Sequence, residues 1–144
     1  MSNIKLTADE MRYIALFETL TGAVAKDCIY EPKENRIIFV IRPGDMGLAI
    51  GKNGVNIEKA KKFIGKNIEL VEYAEDPENF VKNIVAPAKV RAVKITRDSS
   101  ENKLMQVTVD PKDKGIAIGK NGRNVAKARL LMKRYFDIDN VIIL

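Results

Sequence analysis

The residues with the most evident chemistry are Gly51-Lys52-Asn53-Gly54 and Gly119-Lys120-Asn121-Gly122, two copies of one four-residue loop set 68 positions apart. Glycine has no Cβ, so such a loop turns sharply and lets the backbone approach a ligand closely. The residues after the second glycine read as a helix, whose first N–H groups lack intrahelical partners and carry the positive end of the helix dipole. A phosphate is the natural guest of that arrangement. Lys52 and Lys120 add a cation at each tip. The chemistry implied is capture of an anion, with no bond made or broken.

Other chemistries fit less well. A Walker A loop needs four residues between its glycines and a hydroxyl after the lysine. Here Gly47 and Gly51 have three residues between them, and Asn53 stands where the hydroxyl would be. Asn-Gly also favours hairpin turns, but the flanking apolar residues have helical spacing. The chain has no histidine and one cysteine, Cys28, which reads as a buried strand residue. Asp45 and Asp113 repeat, and each sits where a short helix begins, a position the dipole explains better than acid–base catalysis. No enzyme activity, cofactor or metal is expected.

The elements around the loops repeat as well. Pro43 to Ile50 lies over Pro111 to Ile118, and Asn56 to Lys61 over Asn124 to Arg129. A duplicated module is the first organisational fact of the chain. Thr7-Ala8-Asp9-Glu10 has the form of a capping box, and the helix after it carries Met11, Ile14, Phe17 and Leu20 at helical spacing. Strands are expected over Cys28–Glu31, Arg36–Arg42 and Asn67–Tyr73, with a short helix ending at Ile50 and another over Val55–Ile64. The second half repeats the order: a helix from Pro77, strands over Ala92–Arg97 and Lys103–Val109, a short helix to Ile118, a helix to about Phe136, and a last strand over Asp137–Leu144. Each half therefore reads αββααβ, with domains at residues 1–75 and 76–144. The strand Arg36–Arg42 is apolar on both faces, whereas Lys103–Val109 alternates, with Gln106 and Thr108 off its apolar face. The first of these needs cover on two sides; the other module, or the segment from Asn83 to Val90, is the cover expected, with a locally packed N-terminal helix as the alternative.

Composition is that of an ordinary globular chain, 46% hydrophobic and 31% charged, and no apolar run approaches the ~18 residues of a membrane span. The single cysteine and the lack of a secretory signal pattern fit the cytoplasm. Net charge is +6, and its placement is informative. Residues 51–66 hold five lysines against Glu58, and residues 119–134 hold six cations with no acid. Basic charge thus collects in and just after the loops, the footprint of a phosphate-backbone binder. Arg123 follows the second loop where Val55 follows the first, so the second copy is expected to hold a phosphate backbone more strongly.

The order αββααβ, with Ile-Gly-Lys-Asn-Gly between the last two helices of each half, resembles the KH domain in its type II arrangement. Two such units joined through Asn83, Pro87, Ala88 and Val90 resemble the KH pair of the NusA transcription factors, in particular the short archaeal NusA-like proteins. The resemblance covers nearly the whole chain. It implies an α/β (α+β) fold of two tandem type II KH domains, each a three-stranded mixed sheet covered on one face by three helices. It also implies single-stranded RNA as the partner, about four nucleotides per module, with a role in transcription elongation or termination. Carried over by position, the backbone clamps are Gly51, Lys52, Asn53 and Gly54, then Gly119, Lys120, Asn121 and Gly122. Groove positions are Ile50, Ile57 and Leu70 in the first unit, and Ile118, Val125 and either Ile138 or Val141 in the second. Lys59, Lys127 and Arg123 complete the RNA-binding set. RNA polymerase or other transcription factors are further partners on this reading, and the chain is expected to act as a monomer away from membranes. On this reading the two modules are expected to fill the 144 residues, without the polymerase-binding and OB-fold domains that precede the KH pair in bacterial NusA. Two other readings stay open: a protein-interaction module on the same scaffold, and a single-stranded DNA binder.

Overall fold

The computed structural model describes residues 4–144, which form two compact units, Lys5–Tyr73 and Ala74–Leu144, with Ile4 grouped with the second. In the first unit the elements are α1 (Ala8–Thr21), β1 (Ala25–Glu31), β2 (Arg36–Ile41), α2 (Met46–Ile50), α3 (Val55–Ile64) and β3 (Asn67–Glu72). The second has α4 (Pro77–Val85), β4 (Val90–Arg97), β5 (Lys103–Val109), α5 (Lys114–Ile118), α6 (Arg123–Phe136) and β6 (Asn140–Ile143). Both follow the αββααβ order read from the sequence. Each sheet has its second strand in the middle, antiparallel to the first and parallel to the third.

Local chemistry starts and stops these elements. The capping box at α1 forms: Thr7 N–H donates to Glu10 Oε1 at 3.0 Å, and Glu10 N–H to Thr7 Oγ1 at 3.1 Å. The second oxygen of Glu10 accepts the Tyr30 N–H at 2.9 Å, so the cap also ties α1 to β1. Asp76 caps α4 through the Asn79 N–H at 2.9 Å, with Pro77 in the first turn, where its missing N–H costs nothing. The acidic stretch before the second unit is therefore a helix start.

Packing follows the apolar periodicity. In the first unit Phe17, Cys28, Ile37, Phe39, Ile41, Ala49, Ala60 and Ile68 form one buried cluster, with the Phe17 and Phe39 rings stacked at 4.3 Å. Every residue of β2 is buried, Ile38 and Val40 on its other face included. In the second unit Met105, Val107 and Val109 of β5 are buried, while Gln106 and Thr108 between them are half-exposed, the alternation read from the sequence. Phe80 of α4 meets Tyr135 and Phe136 of α6 edge-on at 5.4 and 6.1 Å. Arg36 is buried at the start of β2, where its guanidinium bonds Glu31 on β1 at 2.7 Å and Glu69 on β3 at 3.1 Å. One cation thus clips all three strands, and those partners raise its pKa against the opposing effect of burial.

The strand starts differ from the sequence reading. The last strand, β6, is confined to Asn140–Ile143 of the expected Asp137–Leu144, while β1 begins at Ala25 and β4 at Val90, earlier than Cys28 and Ala92. Both opening segments contain a register shift, between Ala25 and Asp27 and between Val90 and Ala92, which breaks the alternation that marks a strand.

Candidate nucleic-acid interface

Each loop is a tight turn between two short helical segments. The Gly54 N–H closes on the Gly51 carbonyl at 3.0 Å, and Gly122 on Gly119 at 3.0 Å. The first glycine has φ 76°, ψ 169° at Gly51 and φ 79°, ψ 164° at Gly119, backbone that is essentially closed to other residues. Space is closed as well: a Cβ on Gly51 would lie 2.7 Å from Asn56 Cγ and 2.8 Å from its backbone nitrogen, and one on Gly119 would lie 2.8 Å from Asn124 N. Asn53 and Asn121 take the left-handed conformation, φ 56° and 57° with ψ 27° in both. Asparagine tolerates this better than most side-chain-bearing residues. Gly54 and Gly122, at φ 76° and 72°, precede the first residues of α3 and α6. Neither helix has a side-chain cap, so no side chain of its own N-cap residue satisfies the first N–H groups of either.

Two asparagines missed in the sequence hold this geometry. Asn56 Nδ2 donates to the Leu48 carbonyl at 2.7 Å, and Asn124 Nδ2 to the Ile116 carbonyl at 2.9 Å. Each bond clips the helix before the loop to the one after it, and the asparagine backbone closes the space beside the first glycine. Both asparagines stand two positions after the second glycine, so the repeat itself was the available signal.

The two aspartates also act as staples, and not as dipole partners alone. Asp45 Oδ2 accepts the Val24 N–H at 2.8 Å, and Asp113 Oδ2 the Lys89 N–H at 2.9 Å. The carbonyls of Val24 and Lys89 in turn accept from Arg42 N–H and Asp110 N–H, each at 2.9 Å. The helix before each clamp is thereby tied to the segment entering the first strand of its sheet. The Val24 N–H, and then Arg42, hold the Asp45 carboxyl below the usual aspartate range.

The clamp residues face outward. Lys52, Asn53, Lys120 and Asn121 are exposed, and among the described residues neither lysine joins an ion pair. Lys59 is also exposed, whereas Lys127, at the same position of the second copy, is only 6% exposed. Arg123 is half-buried. Lys133 is held by Asp137 and Asp139 at 2.9 and 2.8 Å, and Arg129 Nε donates to the Val141 carbonyl at 3.2 Å. Burial and pairing thus reduce the advantage that formal charge gives the second clamp.

Among the groove positions, Ile50 is exposed, Ile118, Ile57 and Leu70 are half-buried, and Val125 lies at 8%. Leu48 and Ile116, one turn upstream of the loop, are about half exposed in both copies, an apolar surface the sequence reading passed over. The second-unit counterpart of Leu70 needs correction. Leu70 pairs with Phe39, and the matching position on β5, Val107, pairs with Ile143, so Ile143 replaces Ile138 and Val141. Helix α6 has 14 residues to the 10 of α3, which shifts the last strand out of the fixed repeat spacing.

Comparison with known proteins agrees with this architecture. Residues 11–84 match the family described as KH domain, and residues 77–143 match the NusA-like second KH domain. The probable transcription termination protein NusA of Halococcus morrhuae is 39% identical over 138 residues, which cover 96% of both chains. The chain belongs to the NusA family of KH-domain proteins. Its relatives include the probable transcription termination protein NusA of Methanocaldococcus jannaschii, 30% identical over 98% of this chain and 75% of that one. The transcription termination/antitermination protein NusA of Borreliella burgdorferi is 32% identical over 81% of this chain but only 23% of its own length. The solved structure named "Crystal structure of APE1850" aligns with a TM-score of 0.87 at 39% identity, covering 96% of this chain and all of that one. The fold is that of two tandem KH domains, each a three-stranded mixed sheet with its helices.

Proposed function

We propose that the chain binds single-stranded RNA through its two Gly-Lys-Asn-Gly loops and acts in the control of transcription elongation or termination. The observation that carries this reading is the duplication of one strained turn. The backbone angles of Gly51, Asn53 and Gly54 differ from those of Gly119, Asn121 and Gly122 by no more than 5°. Strain of that kind persists where the surroundings over-determine it, and it clusters at ligand clamps. In each copy it places an exposed lysine and an exposed asparagine beside an uncapped helix N-terminus, the arrangement that receives a phosphate. Exposed Leu48 and Ile50, with Ile116 at the matching place in the second copy, offer apolar surface to bases beside the clamp.

The role in transcription, with RNA polymerase or another transcription factor as a further partner, rests on the names of the relatives. Among the described residues no helix is long and apolar enough to cross a membrane. The cytoplasm is the proposed setting and binding, not catalysis, the proposed activity.

The test is a pair of charge reversals. Lys52→Asp with Asn53→Asp puts two negative charges at the first clamp and keeps both glycines; Lys120→Asp with Asn121→Asp does so at the second. Fluorescence anisotropy with random-sequence RNA pools should show loss of binding at the altered clamp, while circular dichroism stays native. Unchanged affinity in the four-substitution variant would overturn the clamp assignment. An equimolar single-stranded DNA competitor reads the choice between RNA and DNA.

A further inference from the structure

The outer face of α3 is an unusual surface. Val55, Lys59, Lys62 and Phe63 fall on one side of the helix, turned away from its buried stripe of Ile57, Ala60 and Ile64. Phe63 is 67% exposed and Val55 54% exposed, and Phe63 makes no ring contact among the described residues. Lys59 and Lys62 are exposed and join no ion pair among the described residues, whereas Lys61 is paired with Glu58 at 3.5 Å. The duplicated module gives an internal comparison. The counterpart of Phe63 is Leu131, which is fully buried, and that of Lys59 is Lys127, which is nearly so. At this matched position only the first copy shows solvent an aromatic ring.

We infer that this face extends the first clamp, carrying RNA beyond the nucleotides held at Gly51–Gly54 and stacking a base on Phe63. The inference rests on the RNA reading proposed above. Charge and chemistry choose the occupant. Two lysines without ion pairs among the described residues suit a polyanion, and an exposed ring on the same side of the helix suits a base, whose π-face stacks regardless of sequence. Geometry makes the surface continuous with the clamp. α3 starts directly after Gly54, and at 1.5 Å per residue Phe63 lies about 12 Å along the helix from Val55. That is the reach of roughly three to four stacked nucleotides at 3.4 Å each. A strand of about eight nucleotides would therefore engage both the clamp and the ring.

The test uses the full chain with the second clamp disabled by Lys120→Asp and Asn121→Asp, and labelled random-sequence RNA pools of four and ten nucleotides. The ten-nucleotide pool should bind more tightly, and Phe63→Ser should weaken it about fivefold or more without changing affinity for the four-nucleotide pool. Lys62→Gln should flatten the salt dependence of the longer pool alone, by about 0.7 in log–log slope. The chain has no tryptophan, so Phe63→Trp supplies a single reporter. Its emission should be quenched by the longer pool and not by the shorter. Binding of both pools with no effect of Phe63→Ser and no quenching would overturn the extension while leaving the clamp intact, and would assign this face to a protein contact. Failure of both pools to bind would overturn the RNA reading of the first clamp, and the extension with it.

Discussion

The two glycines of one clamp should respond differently to the same substitution. Gly51→Ala meets two obstacles. Its backbone, at φ 76° and ψ 169°, lies in a region essentially restricted to glycine, at a cost on the order of 1–3 kcal/mol. Its Cβ would also sit 2.7–2.9 Å from three atoms of Asn56, one of them backbone, so the helix start must move. Overpacking of this kind typically costs about 1–3 kcal/mol more. Gly54→Ala meets only the left-handed conformation, at φ 76° and ψ 15°, because its nearest neighbour would be Ile57 Cγ2 at 4.0 Å. That change should cost about 1–2 kcal/mol. A unit of this size has a total stability of roughly 4–10 kcal/mol, so Gly51→Ala removes about half of it or remodels the loop. Urea unfolding should show the ordering, and the Asn56 side-chain amide resonance should move strongly in Gly51→Ala and little in Gly54→Ala. Equal destabilisation by the two would refute the argument that space beside Asn56 sets the first glycine.

The remaining expectations concern charge, symmetry and pH. RNA binding should fall with salt at a log–log slope of about −3 to −5 for several neutralised phosphates at about 0.7 each; a flat titration would remove phosphate capture. Matched double-Asp variants should lose comparable affinity at the two clamps, within about threefold. Lys127 is buried and Lys133 paired, so a much larger loss at the second clamp would show that formal charge outweighs exposure. Asp45 carries a depressed carboxyl pKa in the folded protein, so its contribution to stability is present above about pH 3.9 and is lost as pH falls through the lowered value. Asp45→Asn should therefore destabilise the first unit at neutral pH and shrink its acid-induced loss of stability below pH 4, read by urea midpoints across pH. Asn124→Ala should loosen the second clamp as Asn56→Ala loosens the first, each by about 1 kcal/mol for one lost hydrogen bond.

Much of the architecture was legible because the chain repeats itself. The capping box, the apolar spacing of α3 and the alternation in β5 each name an element directly. What escaped has physical causes. The register shifts at Ala25–Asp27 and Val90–Ala92 hide strand starts from a period-two reading. The longer α6 slides the last strand along, so Ile143, not Ile138 or Val141, answers Leu70. Asn56 and Asn124 were visible as a repeated pair, but their reach across the loop to a carbonyl eight residues back depends on a fold that spacing alone does not specify. Burial separates Lys127 from Lys59, two residues identical in sequence terms.

The central claim is that the loop backbones themselves receive the RNA phosphates. Amide nitrogen–proton spectra of the labelled full chain, titrated with a four-nucleotide random RNA pool, test it most directly. The account predicts saturable shifts concentrated at Gly51–Asn56 and Gly119–Asn124, abolished at each clamp by its double-Asp substitution. Tight RNA binding with those amides unmoved, and shifts confined to other surfaces, would contradict it.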